Sequence, residues 1–381
     1  YDHLGHGKIL PGTSTLNLAN CPEGAPLQDK FAKAYEYSDC WVEDARLVAL
    51  NARDAKLRGA DILTQTKVMS AERKNDVWEI ATDNGYTHFA RTLVNAGGPW
   101  VAEILQGALR QNSKDSVRLV RGSHIVTKKL YDHEKCYFFQ GTDGRIIFAI
   151  PYETDFTLIG TTDADHPDPS TAPECSPEEA DYLCRFASEY FKKPISKDDI
   201  VWTYSGVRPL HDDGATSATA ATRDYVLQHD TNGAPLLNVF GGKITTYRKL
   251  AQKALAKLEL GEEWTAEVPL PGGDFPVDGQ QNLVDGLMTD YPFLNAKWAA
   301  RLVRAYGTEA RDWLGDAKTA KDLGKDFGAT LTAAELTWMM TREYAQTAED
   351  AVWRRTKLGL RLTAKQITAI DTWMAKEGQL L

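Results

Sequence analysis

The sequence predicts a mixed α/β chain that is followed by a separate helical domain. Helix and strand patterns alternate over residues 44–100, whereas residues 118–230 consist mostly of short strand-like runs separated by tight-turn residues. After the segment 269–276, which is rich in proline and glycine, the pattern is almost entirely helical and shows no repeat. This order predicts an α/β segment, a mostly antiparallel β domain and a C-terminal α domain.

The first segment carries one clear helix pattern. Asp44 is predicted to cap a helix that runs through residues 45–50 and ends near Gly59. Strand-like runs follow at 61–68, 77–82 and 92–96. Asp83-Asn84-Gly85 predicts a tight hairpin turn, and Gly97-Gly98-Pro99-Trp100 predicts a turn that opens a helix. This alternation is typical of a nucleotide-binding domain.

The middle of the chain is predicted to be mostly antiparallel β-sheet. Its strand-like runs cover 118–128, 136–140, 145–150, 156–162, 200–207, 224–228 and 236–240. One helix interrupts them, because Ser176-Pro177-Glu178-Glu179 is a capping-box pattern with proline at the first helical position, and apolar residues at helical spacing continue to Phe191. The last strand leads into Gly241-Gly242-Lys243 and a helix from about Thr245 to Leu258.

Composition excludes several classes of protein. A formal net charge of -9 argues against a general nucleic-acid binder, which needs a basic face. The five cysteines are odd in number and scattered, which predicts reduced thiols in a cytosolic compartment without a disulfide framework or a zinc site. No apolar run approaches the ~18 residues that a membrane span needs. The first residue is Tyr1 rather than Met, so we expect the sequence to begin inside a longer one.

The glycine-rich turns contain one candidate ligand site. The dinucleotide fingerprint G-x-G-x-x-G is missing, and its nearest match, Gly5-His6-Gly7, has Leu10 at the third glycine position. The strand–glycine–glycine–lysine–helix unit at 239–249 is more informative, since glycines let backbone approach a flat or anionic ligand and a helix start offers N–H groups. Thr245 and Thr246 add hydroxyls there. The alternative is a helix cap with a surface lysine.

Two arginines and a histidine are further candidates. Arg208 and Arg223 lie at strand ends, and a guanidinium can hold a phosphate through two parallel hydrogen bonds. The alternative for both is a surface salt bridge. His124 lies in an otherwise apolar strand, where it is either a satisfied core residue or a catalytic base or substrate donor.

The sequence predicts no metal site. Asp163, Asp165 and Glu174 fall at positions 1, 3 and 12 of a calcium-loop pattern. Pro167 at the fifth position and Asp168 at the sixth, where glycine is needed, exclude that interpretation. The histidines form no H-E-x-x-H pattern.

Taken together, several stretches resemble the aerobic, FAD-dependent glycerol-3-phosphate dehydrogenases of bacteria, which belong to the wider group of glycine-oxidase-like flavoproteins. The matching stretches are 37–47 (YSDCWVEDARL), 94–100 (VNAGGPW), 121–126 (RGSHIV), 159–163 (IGTTD), 199–210 (DIVWTYSGVRPL), 240–249 (FGGKITTYRK) and 353–357 (WRRTK). They follow the family's order from near the start of the chain to near its end.

The resemblance implies oxidation of glycerol 3-phosphate to dihydroxyacetone phosphate, with hydride transfer to FAD. It implies that Arg208 and Arg223 bind the substrate phosphate and that Lys243 lies beside the flavin and the substrate. The residues that match the family's cofactor contacts are Val68, Ala96, Gly97, Gly241, Gly242, Lys243, Thr245 and Thr246. His124 is the candidate base for the C2 hydroxyl, because an imidazole pKa near ~6.5 suits that role, and Lys243 is the alternative base.

The resemblance also implies a division into domains. Residues 1–105, with 236–262 returning to them, are expected to form an incomplete, Rossmann-like FAD-binding domain. Residues 106–235 are expected to form the substrate-binding β domain, and 263–381 the C-terminal helical domain. Because the family's glycine-rich turn and acidic ribose ligand are missing, we expect the 381-residue chain to lack FAD and to be inactive by itself.

Partners and location follow from the resemblance as expectations. Electrons would pass from FAD to a membrane quinone, and the full-length protein would lie peripherally on the cytoplasmic face of the inner membrane, with a homodimer as a further expectation. One alternative is a glycerol-3-phosphate oxidase, which uses oxygen, or an amine-oxidising relative, although the pair Arg208 and Arg223 favours a phosphate substrate. Another is a non-catalytic fragment that binds phosphate or docks to a partner.

Overall fold

The computed structural model describes residues 10–111, 116–212 and 224–378. Three residues considered above lie outside these ranges, namely Gly5, Gly7 and the candidate phosphate ligand Arg223. The chain divides into two compact units. The first comprises the described residues up to Cys40 and those of Thr66–Glu263, and the second comprises Trp41–Gln65 with the described residues from Trp264 onward.

The secondary structure alternates along the chain. The strands are β1 Ser14–Asn17, β2 Lys33–Glu36, β3 Val68–Lys74, β4 Val77–Thr82, β5 Thr87–Ala90, β6 Leu93–Asn95, β7 Val117–Lys128, β8 Tyr137–Gln140, β9 Ile146–Tyr152, β10 Phe156–Gly160, β11 Ala164–Asp165, β12 Ile200–His211, β13 Tyr225–Asp230, β14 Leu236–Gly241, β15 Asp326–Gly328 and β16 Leu331–Thr332. The α-helices are α1 Asp44–Leu57, α2 Val101–Gln106, α3 Pro177–Ser188, α4 Tyr247–Lys257, α5 Gln280–Asp290, α6 Ala296–Tyr306, α7 Ala310–Leu314, α8 Ala333–Arg342 and α9 Ala364–Glu377. None of the helices in the described ranges has the length and apolar character that a bilayer span requires.

The largest sheet of the first unit has six strands. Its order is β11-β7-β10-β9-β8, β12 also pairs with β7, and all of these pairings are antiparallel. Helix α3 covers one face of this sheet, and Ile125, Ile147 and Leu183 are fully buried between them. The predicted capping box at Ser176 and Glu179 is present, with both reciprocal hydrogen bonds, which fixes where α3 begins.

A second sheet of the first unit has the order β13-β14-β6. Strand β14 is antiparallel to β13 and parallel to β6, and its residues from Leu236 to Phe240 are all buried. A nearly continuous apolar run is what a strand covered on both faces requires. Val101 and Leu105 of α2 belong to the same buried cluster as Phe240, and α2 packs against β14 and β6, so this helix covers one side of the sheet. The antiparallel sheets β3-β4-β5 and β1-β2 complete the unit.

The second unit is built on helices α5 to α9, whose apolar side chains form one core. Leu287, Leu302, Leu336 and Ile370 are fully buried in it. The short antiparallel pair β15–β16 interrupts the helices, and the prediction of an almost entirely helical segment did not include this pair.

Helix α1 belongs to the second unit. Its buried face consists of Arg46, Ala49 and Arg53, spaced so that they lie along one side of the helix. The guanidinium of Arg46 donates to both carboxylate oxygens of Glu343 at 2.9 and 3.0 Å. Arg53 forms the same two-bond pair with Glu309 at 2.7 and 2.8 Å. The sequence prediction placed this helix in the first domain.

Most predicted elements are confirmed, including the hairpin β4–β5, the strands of the antiparallel domain and the helix that begins at Pro177. Two local predictions for the first segment are wrong. Residues 61–67 are not a strand, because a turn at Thr64 and Gln65, where Gln65 has φ 51°, interrupts them, and β3 begins only at Val68. Glu43 rather than Asp44 is the residue that precedes the first helix, and neither side chain makes an N-cap hydrogen bond of the usual kind.

Candidate functional site

The two faces of the six-stranded sheet carry different sets of side chains. Side chains alternate along β7, and Ser123 and Ile125 face α3, where Ser123 donates to Glu179. Gly122 and His124 therefore point to the opposite face. Strand β12 is paired with β7 so that Gly206 lies opposite Gly122 and Tyr204 lies opposite His124. This second face, which we call the polar face, carries His124, Tyr204 and Arg208.

His124 is held by contacts with its ring faces. Its imidazole stacks on the ring of Tyr204 with centroids 4.8 Å apart and planes 5° apart. On the neighbouring strand β10, Gly160 lies opposite His124, and a Cβ atom at that position would collide with the imidazole. The glycine is therefore required for His124 to lie flat on the sheet. Trp202 stacks in turn on Tyr204, with centroids 5.1 Å apart.

Arg208 is anchored by the residues that follow β10. Its Nη1 donates to Oδ1 of Asp163 at 3.0 Å and to the carbonyl oxygen of Thr162 at 3.3 Å. Its Nη2 donates to Oγ1 of Thr161 at 3.0 Å. A Cβ atom at Gly122 would collide with the guanidinium, so Arg208 lies directly over that glycine. Its side chain remains 32% exposed, which leaves it accessible to an anion.

Two glycine turns lie at one edge of the second sheet. Strands β6 and β14 are parallel, and Asn95 lies opposite Asn238, so the turns that follow the two strands meet at the same edge. Asn95 donates to the side chain of Asn238 at 3.1 Å and accepts from the backbone N–H of Gly97 at 3.3 Å. Crevices at the carboxyl ends of parallel strands are where open α/β sheets bind ligands.

The backbone conformation and the close packing of these turns require glycine. Gly241 and Gly242 have φ values of 73° and 113°, and a Cβ atom at Gly241 would lie 2.8 Å from the carbonyl oxygen of Asp224. A Cβ atom at Gly97 would collide with Ile104. The neighbouring Ala96 is exposed.

The glycine turns lie beside the strand that carries Arg208. The turn Gly98–Trp100 packs against both β12 and β14. The Cβ position of Gly241 is 3.3 Å from the backbone nitrogen of His211, the last residue of β12. The polar face and the glycine turns are therefore neighbouring parts of the first unit.

The other residues predicted to contact the cofactor lie in two separate places, the turn after β14 and the start of β3. Lys243, Thr245 and Thr246 are exposed in a short 3₁₀ turn, in which the carbonyl oxygen of Lys243 accepts from the backbone and the hydroxyl of Thr246. The α-helix predicted from Thr245 begins only at Tyr247, because this turn precedes it. Val68 is exposed at the start of β3, in a different sheet, where it pairs with Thr82.

Several residues of this region were not singled out as site residues from the sequence. Asp163, considered above only as a calcium ligand, is the ion-pair partner of Arg208, and Tyr204 is the stacking partner of His124. The run Thr161-Thr162-Asp163, directly after strand β10, is the sequence signal that could have pointed to this anchor. Throughout the described ranges, no group of three or more metal-ligating side chains comes together.

Comparisons with known proteins cover nearly the whole sequence. The family model of FAD dependent oxidoreductases matches residues 4–248, and the model of the C-terminal domain of alpha-glycerophosphate oxidase matches residues 263–378. The aerobic glycerol-3-phosphate dehydrogenase of Escherichia coli (strain K12) is 43% identical over 100% of this chain and 77% of its own length. The D-erythritol 1-phosphate dehydrogenase of Brucella abortus (strain 2308) is 43% identical over 98% of this chain and 76% of its own length.

A solved structure supports the same relationship. The glycerol-3-phosphate dehydrogenase from Bacillus halodurans complexed with FAD superposes with a TM-score of 0.78 and 25% identity, covering 96% of this chain and 78% of that chain. The mixed α/β architecture with a C-terminal helical part is therefore shared with an FAD-binding fold. The chain belongs to the family of FAD-dependent oxidoreductases whose C-terminal domain is of the alpha-glycerophosphate oxidase type.

Proposed function

We propose that the protein oxidises glycerol 3-phosphate to dihydroxyacetone phosphate, with FAD as the electron acceptor. The observation that carries this proposal is the polar face, where an anchored but accessible Arg208 lies on the same side of the sheet as His124, beside two glycine turns. The names of the Escherichia coli and Bacillus halodurans relatives support glycerol 3-phosphate as the substrate.

The residues at the sheet edge fit a flat cofactor. Gly97, Gly241 and Gly242 allow the backbone of these turns to pack closely against the protein, and such glycine turns are the kind of segment that a planar or anionic ligand can approach along the backbone. We propose that these turns, with Ala96, Lys243, Thr245 and Thr246, hold FAD, and that Val68 meets its adenine end. When bound, FAD supplies the two-electron acceptor that takes the C2 hydrogen of the substrate as a hydride.

Arg208 is the proposed phosphate ligand. A guanidinium binds two phosphate oxygens through parallel N–H groups, and the contacts with Thr161 and Asp163 hold its plane in place before substrate arrives. The exposed fraction of Arg208 leaves room for that contact. Arg223 is the proposed second phosphate ligand by resemblance.

His124 is the proposed general base. The C2 hydroxyl loses its proton to the imidazole while the C2–H bond breaks, and the C–O bond becomes the carbonyl of the product, so two electrons and two hydrogens leave the substrate. Stacking on Tyr204 and the absence of a side chain at Gly160 keep the ring flat against the sheet. Lys243 is the alternative base.

Steady-state kinetics test the substrate. FAD-loaded protein is assayed with glycerol 3-phosphate, D-erythritol 1-phosphate and glycerol, and an artificial electron acceptor. We expect the highest kcat/KM for glycerol 3-phosphate and the lowest for glycerol. D-erythritol 1-phosphate is the second candidate, because the Brucella abortus relative is equally identical at 43%, and a higher kcat/KM for it would replace the first proposal.

The electron acceptor is a separate part of the proposal. By resemblance we propose a membrane quinone, peripheral attachment at the cytoplasmic face of the inner membrane, and a homodimer as the assembly. Reduction of a soluble quinone without hydrogen peroxide would support a dehydrogenase, whereas stoichiometric hydrogen peroxide in air would identify an oxidase.

The expectation that the 381-residue chain by itself lacks FAD stays a prediction, which the visible absorption spectrum of that chain tests.

A further inference from the structure

We propose that Glu179 is a positioning residue, which acts from the opposite face of the sheet to hold residues 161–163 and thereby aims Arg208 at the substrate phosphate. This role rests on the proposed function. It concerns a side chain that touches neither the polar face nor the glycine turns. The path from Glu179 to Arg208 can be followed bond by bond.

Glu179 is fixed by the start of helix α3. It is the third residue of the helix, and its carboxylate accepts from the backbone N–H of Ser176 at 3.0 Å, as one half of the capping box. The residue is only 9% exposed. A capping box needs only one carboxylate oxygen, so the second oxygen is available to bind the sheet.

Three side chains of the sheet donate to the same carboxylate. Thr162 donates to Oε1 at 2.6 Å and Ser123 donates to Oε1 at 3.0 Å. Arg121 donates to Oε2 at 2.8 Å. Burial by itself raises the pKa of Glu179, but these hydrogen bonds outweigh it and lower the pKa below the usual value of a glutamate. The side chain is therefore an anion at neutral pH, with acceptors for all four donors.

Thr162 joins this network to the polar face. Its Oγ1 donates to Glu179 and accepts from the backbone N–H of Ser123 at 2.9 Å, which ties the segment after β10 to β7. The carbonyl oxygen of the same Thr162, and the side chains on either side of it in the sequence, Thr161 and Asp163, accept from Arg208. Glu179 thus holds the central residue of the three that anchor Arg208.

A shift of this segment would displace the guanidinium. Misplacement of a binding group by about 1 Å can cost about 10²-fold in rate, even when the changed residue is remote from the reacting atoms. The loss should fall on the part of the substrate that Arg208 contacts. A role in phosphate positioning therefore predicts a loss of discrimination between phosphorylated and non-phosphorylated substrates, whereas general damage to the fold lowers activity towards both.

The test compares Glu179→Gln with Glu178→Gln in FAD-loaded protein. Glutamine keeps the size of the side chain but presents an amide NH₂ to donors that need an acceptor, so we expect kcat/KM for glycerol 3-phosphate to fall about tenfold or more, mainly through KM. We expect kcat/KM for glycerol to stay within about twofold, since glycerol makes no phosphate contact. Glu178 is the exposed neighbour on the same helix, and its variant should match the wild type on both substrates.

A milder pair of variants guards against misfolding of Glu179→Gln. Thr162→Val removes the hydroxyl that reaches Glu179 and should reproduce the selective loss, whereas Thr162→Ser keeps the hydroxyl and should restore most of the activity towards glycerol 3-phosphate. Equal losses on both substrates in Glu179→Gln and Thr162→Val, or unchanged kinetics in both variants, would overturn the positioning role. A wild-type protein without any preference for glycerol 3-phosphate over glycerol would instead overturn the proposed function, and the positioning role with it.

Discussion

At the scale of residues, the proposed site depends on two glycines as much as on the side chains that lie over them. Gly122 lies under the guanidinium of Arg208, and Gly160 lies under the imidazole of His124. Two side chains of the proposed site therefore lie flat on a β-sheet, and that of Arg208 remains 32% exposed. Gly206, opposite Gly122, has open space where a Cβ atom would be, which leaves room beside Arg208 for the substrate.

Arg208→Lys tests the phosphate ligand. Lysine keeps the charge but loses the planar pair of donors, so we expect kcat/KM for glycerol 3-phosphate to fall about tenfold or more while flavin content stays normal. Steady-state kinetics and the flavin spectrum measure the two effects. Arg185→Lys is the matched control, because Arg185 is exposed on α3 and pairs with Asp181 on the same helix. Unchanged kinetics in Arg208→Lys would remove this residue from the site.

His124→Asn tests the base. A base must be neutral to accept the C2 proton, so kcat/KM of the wild type should fall as the pH drops below the pKa of the imidazole. In the variant we expect kcat to fall by roughly 10²-fold and this acidic limb of the pH profile to disappear.

The control for this variant is His88→Asn, since His88 is exposed on β5 and away from the polar face. Near-normal turnover with the acidic limb intact would show that His124 is not the base. Lys243→Met would then be the next variant to measure.

At the scale of elements, helix α1 shows where pattern reading succeeds and where it fails. Its existence follows from local spacing, and the sequence prediction found it within a few residues. The unit to which the helix belongs does not follow from local spacing. Its buried face carries Arg46 and Arg53, and a hydrophobicity pattern predicts that arginines face solvent. Their partners Glu343 and Glu309 lie 297 and 256 residues further along the chain, and no local pattern reports such a pairing.

Arg46→Ala tests whether these ion pairs stabilise the second unit. The change leaves the carboxylate of Glu343, which is 0% exposed, without its bidentate partner. We expect the free energy of unfolding to fall by about 3–5 kcal/mol, measured by chemical denaturation. Arg58→Ala removes the same side chain from the exposed end of the same helix, where the pair with Asp54 lies at the solvent surface, so we expect a much smaller loss of stability. Equal effects of the two substitutions would contradict the account.

At the scale of the whole molecule, the order of the parts could be read from the sequence, but the assembly of the site could not. Turn residues and capping patterns are local, so the hairpins, α3 and the glycine turns were predicted close to their positions in the structure. The ion pair of Arg208 with Asp163, the stacking of Tyr204 on His124 and the Glu179 network depend on how β7, β10 and β12 pair. The resemblance predicted Arg208 and His124 as site residues, but it did not point to the neighbouring side chains that hold them.

Anaerobic rapid mixing tests whether glycerol 3-phosphate reduces the bound FAD. FAD-loaded protein is mixed with glycerol 3-phosphate in the absence of any other acceptor, and the visible absorption of the flavin is followed in time. We expect a loss of this absorption whose rate saturates with rising glycerol 3-phosphate concentration and is far slower with glycerol at the same concentration. A flavin that keeps its absorption in the presence of glycerol 3-phosphate, or that loses it equally fast with glycerol, would contradict the account.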